Sequence, residues 1–248
     1  MPSISFLTTI LLPLLLSPLL THAATTGNAV VINHCKDHVL LKYDAGQTTI
    51  APVSIAPSGG KWTRKIENKA DGGGPSVKLW RQSKSTGCEK GKLASTCSPR
   101  DGDIMQLEYQ NGNSGFGDLS YDISNVDCHN HADSSGSSCP FAASGFVLET
   151  AHADDTSLDY ALWNPDNKLD CRNVPCSPGL TDCPNVYAFP NDNQNDNQTV
   201  QYSCSKQKVD LMLHLCPCQG GSNGGACAKA KKKGVGWKSA KRAMEFLA

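Results

Sequence analysis

An all-β fold, a sandwich or flattened barrel stapled by disulfides, is what this sequence predicts. Three observations carry that expectation. Apolar residues recur with period two through the body of the chain, turn-forming Gly, Asn and Asp separate the alternating segments, and all twelve cysteines follow an apolar leader.

The clearest alternation is Val209, Leu211, Leu213 and Leu215 against Asp210, Met212 and His214, the pattern of a strand with one buried face. Leu119, Tyr121 and Ile123 alternate with Ser120, Asp122 and Ser124 in the same way. Residues 29–33, 38–43, 76–80, 104–109 and 145–149 read as further strands. Turn-rich stretches at 71–75, 111–117 and 191–197 punctuate them. No long apolar stripe of helical period precedes the last twenty or so residues, so the segments add up to layers of sheet.

The leader MPSISFLTTILLPLLLSPLLTHA is broken by Pro13 and Pro18, which suits a signal peptide better than a membrane span. Thr21 and Ala23 occupy the −3 and −1 positions of a cleavage site, which divides the chain into a signal peptide (1–23), a β domain (24–218) and a linker with a basic tail (219–248). Cleavage before His22 would instead expose a histidine able to join a copper site, but Thr21 is a poor −1 residue. No second apolar stretch reaches spanning length, so the expectation is a secreted protein, extracellular or held in a cell wall, with no integral membrane segment.

Cys35, Cys88, Cys97, Cys128, Cys139, Cys171, Cys176, Cys183, Cys204, Cys216, Cys218 and Cys227 make an even set in an exported chain, which argues for bridges rather than thiols or metal. The spacing of Cys216-Pro217-Cys218 is not that of a structural zinc module. Each bridge typically contributes about 2–4 kcal/mol, chiefly by restricting the unfolded chain.

Net charge is zero, with 23 basic and 23 acidic residues. The balance hides an asymmetry: residues 228–248 hold seven Lys or Arg and one acid, Glu245, leaving 16 basic against 22 acidic residues before them. Within that tail Trp237, Ala240, Met244 and Leu247 fall on one helical face, a pattern for contact with a polyanion or an anionic membrane surface; the other reading is a disordered, solubilising tail. No nucleic-acid role is expected. Asn197-Gln198-Thr199 is an N-glycosylation acceptor in a polar loop.

Several blocks resemble the thaumatin-like family. VVINHC, ending at Cys35, is similar to that family's first strand, and SGGKWTRKIENKADGGGPSVKLWRQ to its Ser-Gly-x-x-Trp…Gly-x-Ile-Trp stretch. QLEY followed by YDISNVD resembles the Ala-Glu-Phe strand and the Asp-Ile-Ser-x-Val-Asp signature, and CRNVPC, CPNVYAFPND and LHLCP resemble the carboxy-terminal cysteine blocks. The resemblance spans about residues 28–217 and is nearest in character to small fungal secreted antigens. It implies the pairs Cys35–Cys216, Cys88–Cys97, Cys171–Cys204 and Cys176–Cys183, with Cys128–Cys139 and Cys218–Cys227 as local loops. Only SPGLTD separates Cys176 from Cys183, where larger members carry a second domain, so one wall of the family's cleft is nearly absent.

The resemblance also implies an acidic ligand-binding groove built from Arg81, Glu108, Asp122, Asp127 and Asp192. Strand alternation agrees for two of these, since Glu108 opposes Met105, Leu107 and Tyr109, and Asp122 opposes Leu119, Tyr121 and Ile123. A hairpin between the two strands would make them diagonal neighbours, with β-carbons about 7–8 Å apart or slightly less. The function expected is a non-catalytic binding protein for β-1,3-glucan or another cell-wall polysaccharide at a cell-wall or host–microbe interface. One alternative is a weak endo-β-1,3-glucanase with Glu108 and Asp122 as the catalytic pair. Another is a defence or virulence protein acting on a protein or membrane. His129 and His131, with Asp127 and Asp133, lack a recognisable ligand frame, and no metal or cofactor is expected. Tyr43, Trp62 and Trp80 are read as core aromatics rather than sugar-stacking platforms.

Overall fold

The computed structural model describes residues 27–46, 48–66, 74–82, 88, 91–99, 102–112, 119–129, 139–152, 171, 173–180, 183, 185–189, 200–204 and 209–217. The leader, Asp192, Asn197, Cys218, Cys227 and the basic tail lie outside these residues. Eleven described strands run in chain order. They are β1 (Asn28–Asn33), β2 (Val39–Ala45), β3 (Thr48–Ile55), β4 (Gly60–Lys65), β5 (Ser76–Arg81), β6 (Met105–Asn111), β7 (Leu119–Ser124), β8 (Phe146–His152), β9 (Val174–Cys176), β10 (Tyr202–Cys204) and β11 (Val209–Leu215). A one-turn helix α1 (Val126–His129) follows β7.

The strands form two sheets, ordered β4-β1-β11-β8-β9 and β10-β7-β6-β5-β2-β3. Every pairing is antiparallel except β1 with β11, where Ala29 faces Leu211 and Asn33 faces Leu215. The first strand therefore lies inside its sheet, between β4 and the last described strand. Four strands escape the period-two reading: β3 and β4 are rich in Thr, Pro and Lys, and β9 and β10 are three residues each.

The alternation becomes the core. Ala29, Val31, Val39, Leu41, Val77, Leu79, Leu107, Tyr121, Ile123, Leu148, Leu211 and Leu213 are all sealed in one cluster between the sheets. Tyr43 belongs to that cluster and Trp62 packs against it, while Trp80 is buried on the far side of its sheet with Leu40. Burying one such aliphatic side chain contributes about 1.5–3 kcal/mol.

Disulfides join Cys35 to Cys216, Cys128 to Cys139, Cys171 to Cys204 and Cys176 to Cys183. The first closes a span of 181 residues and locks the ends of β1 and β11 together. Cys88 and Cys97 depart from the implied scheme. They are free thiols hydrogen-bonded to each other, sealed under Leu40 and Trp80 with Ala94 alongside. The short turn Ala94–Thr96 delivers Cys97 to its partner as a hydrogen-bonding neighbour rather than a bonded one. Burial first, then that hydrogen bond, pushes the Cys97 thiol up to about 11.

Gly145 explains how β8 can begin where it does. Its φ is +70°, and a β-carbon there would meet Cys176 O at 2.6 Å, so only glycine fits under the Cys176–Cys183 loop. Its carbonyl accepts from Cys216 N, tying the same corner to the long-range disulfide.

Candidate binding face

The outer face of the six-stranded sheet is built by the polar half of each alternation. On β6, Met105, Leu107 and Tyr109 go inward, which leaves Gln106, Glu108 and Gln110 outside. On β7, Leu119, Tyr121 and Ile123 go inward, which leaves Ser120, Asp122 and Ser124. The register places Glu108 directly opposite Asp122, not diagonally as expected. Direct opposition brings the β-carbons to about 4.5–5.5 Å, inside the diagonal spacing. The hairpin register differs by two residues from the expected one, because β6 runs on to Asn111 and pairs it with Leu119.

Around this pair the face is linked by hydrogen bonds. Ser76 Oγ donates to Gln106 Oε1 at 2.7 Å, and Gln106 Nε2 donates to Asp127 Oδ2 at 3.0 Å from the start of α1. Lys78, on the same face of β5, lies 3.8 Å from Asp44, which also meets Lys42 at 3.3 Å. Glu108 is held above the ordinary carboxylate range by burial first, then by Asp127, with Lys78 opposing. Asp122 is raised further, by its deeper burial and then by Glu108. Only 9% of Asp122 is exposed, and its Oδ1 is shut from solvent with no hydrogen-bond partner among the described residues. Such an atom strongly favours the neutral acid. Of the two carboxyls, Glu108 is the one a ligand can reach.

Arg81 does not join this face. It is the register partner of Val39, a core residue, so its side chain leaves β5 on the inner side of the sheet. There its guanidinium donates to Pro140 O and Ser144 Oγ, lies 3.4 Å from Cys216 Sγ and 5.4 Å over the Phe141 ring. Burial lowers its pKa while Asp37 counteracts. The sheet itself separates Arg81 from Glu108, and its role is to brace the 140–144 loop against the Cys35–Cys216 bridge. Asp192, the remaining groove residue implied by resemblance, lies outside the described residues.

Gln106, Ser76, Lys78 and Asp44 were not singled out from the sequence. The signal existed, since each lies on the outward phase of its own strand, but it required knowing which strands are neighbours. His129 is buried with its ring edge-on to Phe189 at 4.7 Å. Among the described residues no group of three or more His, Cys, Asp or Glu converges on a metal position, and no helix is long and apolar enough to cross a membrane.

Fold and face together define a class: an all-β sandwich stapled by disulfides, with an acidic, hydrogen-bonded outer face. Within it the chain belongs to the Bys1 family, described as Blastomyces yeast-phase-specific protein, which matches residues 16–217. It is 27% identical over 168 residues to the secreted thaumatin-like protein calA of Emericella nidulans, covering 67% of this chain and 72% of that protein. The crystal structure of the protein elicitor MoHrip2 from Magnaporthe oryzae superposes with a TM-score of 0.45 at 15% identity, over 77% of this chain and 98% of that one.

Proposed function

We propose that the protein is a secreted, non-catalytic binder of cell-wall polysaccharide, with β-1,3-glucan as the ligand. Export is supported by the leader, by the disulfide framework and by the likeness to a relative described as secreted. The observation that carries the binding reading is the setting of Glu108. It is a reachable carboxyl beside the Gln106 amide and the Ser76 hydroxyl on a rigid sheet, a set of donors and acceptors suited to sugar hydroxyls.

The same setting argues against hydrolysis. A glycosidase needs two carboxyls flanking one glycosidic bond, with room between them for the bond or a water. Here the second carboxyl, Asp122, is buried alongside the first and cannot flank anything.

Retention of the mature protein on insoluble β-1,3-glucan, with chitin and cellulose as controls, tests the reading. Selective retention that falls at least tenfold in Glu108→Gln is the expected result. Absence of retention on β-1,3-glucan overturns it, and release of reducing sugar from laminarin restores the enzymatic alternative.

A further inference from the structure

The outer face of the five-stranded sheet carries a second buried cluster, remote in the fold from Glu108. His34, the residue after β1, presents Nε2 to His214 Nδ1 on β11 at 3.0 Å. The ring planes are within 4° of each other and the centroids are 5.3 Å apart. That centroid distance is about what the nitrogen gap and two ring radii add up to. The rings therefore lie end to end in a common plane, as an N–H···N hydrogen bond requires, and not face to face. Behind His214, its Nε2 is 3.6 Å from Glu149 Oε2 on β8. His214 and Glu149 are 8% and 6% exposed, and His34 is half-buried.

We propose that Glu149, His214 and His34 form a proton-linked clasp across β8, β11 and β1 that accepts one proton as a unit and rejects a second. In the neutral state each ring holds one hydrogen: His34 donates from Nε2 to His214 Nδ1, and His214 keeps its Nε2 hydrogen toward the Glu149 carboxylate. The first added proton, taken from solvent onto His34, leaves the N–H···N bond in place and makes it charge-assisted, with Glu149 as counter-charge. A second proton has one remaining ring position, His214 Nδ1, where it would point straight at the His34 N–H. The clasp must then open.

His34, His214 and Glu149 each make further contacts with the chain, and Lys36 and Asp37 follow His34 closely in sequence. On the rest of this face, among the described residues, β1 contributes Asn28, Val30 and Ile32, β11 contributes Asp210 and Met212, β8 contributes Val147, and β9 contributes Pro175. Asp210 is engaged by Asn28 at the far end of the strands. On β4, Lys61 stands across from Ile32 and Lys65 across from Asn28, both exposed. Glu149 is an acid in direct contact with the pair, and Lys61 is the nearest described cation by strand register.

The pair titrates as one system with two macroscopic steps, one above the ordinary histidine value of about 6.5 and one below it. The raised step stabilises the fold at low pH and loses that contribution as pH rises through it. The depressed step removes stability as pH falls below about 6.5, because the unfolded chain then binds the proton that the folded one refuses. Stability contributed by the clasp is therefore greatest in the one-proton state.

Imidazole ¹⁵N NMR on the full mature chain from pH 8 to pH 4 tests this. The expected result is two separated steps in which the His34 and His214 resonances move together. Glu149→Gln lowers the upper step by about one unit or more, and His34→Gln leaves His214 with a single step. If His34→Gln perturbs folding, Glu149→Gln with the wild-type titration decides alone. Independent single-step curves for the two rings near 6.5 in the wild type, or an upper step unmoved in Glu149→Gln, overturn the clasp.

Discussion

The outer faces of the two sheets bury titratable pairs of opposite design. On the six-stranded sheet, Glu108 stands opposite Asp122, two acids whose charges repel and whose surroundings include a third, Asp127. On the five-stranded sheet, two bases are joined in line and backed by an acid. Both pairs are set by the same rule, that alternate residues of neighbouring strands share a face. What differs is the sign of the neighbour. Burial first, then the like neighbour, raises the pKa of the deeper acid, Asp122, whereas in the proposed clasp the complementary neighbour lets the histidines hold a charge. Burial therefore favours a neutral acid on one face and, in the clasp proposed above, a single shared proton on the other.

Both faces rest on one corner, and removing it breaks the comparison most severely. Replacing Cys35 and Cys216 with Ser releases a span of 181 residues and costs about 3–5 kcal/mol in urea unfolding. It also detaches His34 from His214, so the two-step imidazole titration collapses to independent steps. Arg81→Ala comes next. It strips the brace from Pro140, Ser144 and Cys216, and about 2–3 kcal/mol of stability should go with it. Because the sheet separates Arg81 from Glu108, polysaccharide retention of the folded variant should match the wild type. Tenfold weaker retention with normal stability would return Arg81 to the binding face.

How much of this was legible beforehand depends on where each signal resides. The strands β6, β7 and β11 were plain because their apolar residues alternate without interruption, and the outward phase of Glu108 and Asp122 followed from that alternation. β3 and β4 were not, because edge strands bury little and their sequence lacks the pattern: β4 alternates only between half-buried and exposed positions. The register of Glu108 against Asp122 depended on how far β6 runs into its turn, which no local pattern encodes. Arg81 was misplaced for a different reason. It was placed on the groove by resemblance alone, yet its phase on β5 is that of Val77 and Leu79, and it enters the interior because three partners await it there. The clasp was invisible in the sequence, since His34 and His214 are 180 residues apart and meet only because β1 lies parallel to β11.

The acidic pair itself offers a finer test of what like neighbours do. Asp122 has a folded-state pKa well above its unfolded value, so the unfolded chain ionises first as pH rises. Between the ordinary aspartate value of about 4 and the raised folded value, the native state binds more protons than the unfolded one, and stability falls with rising pH. Asp122→Asn mimics the neutral acid and removes that slope. The variant should match the wild type in thermal unfolding near pH 3.5 and exceed it at pH 7–8. Equal pH profiles for the two proteins would mean that Asp122 is not held neutral.

The smallest effect isolates one neighbour's charge. Lys78 is the cation that holds the Glu108 pKa down against burial and Asp127. In Lys78→Gln the carboxyl resonance of Glu108 should titrate at higher pH than in the wild type, because the lowering influence of Lys78 is gone. The fold should be unchanged within about 0.5 kcal/mol, since the Lys78–Asp44 contact is a surface pair. Raising the Glu108 pKa also predicts a pH dependence of binding. If ionised Glu108 accepts hydrogen bonds from the ligand, half-maximal retention on β-1,3-glucan should move upward with the titration in the variant. If retention is pH-independent in both proteins while Glu108 titrates, the carboxylate is a bystander and the ligand is held by some other part of the chain.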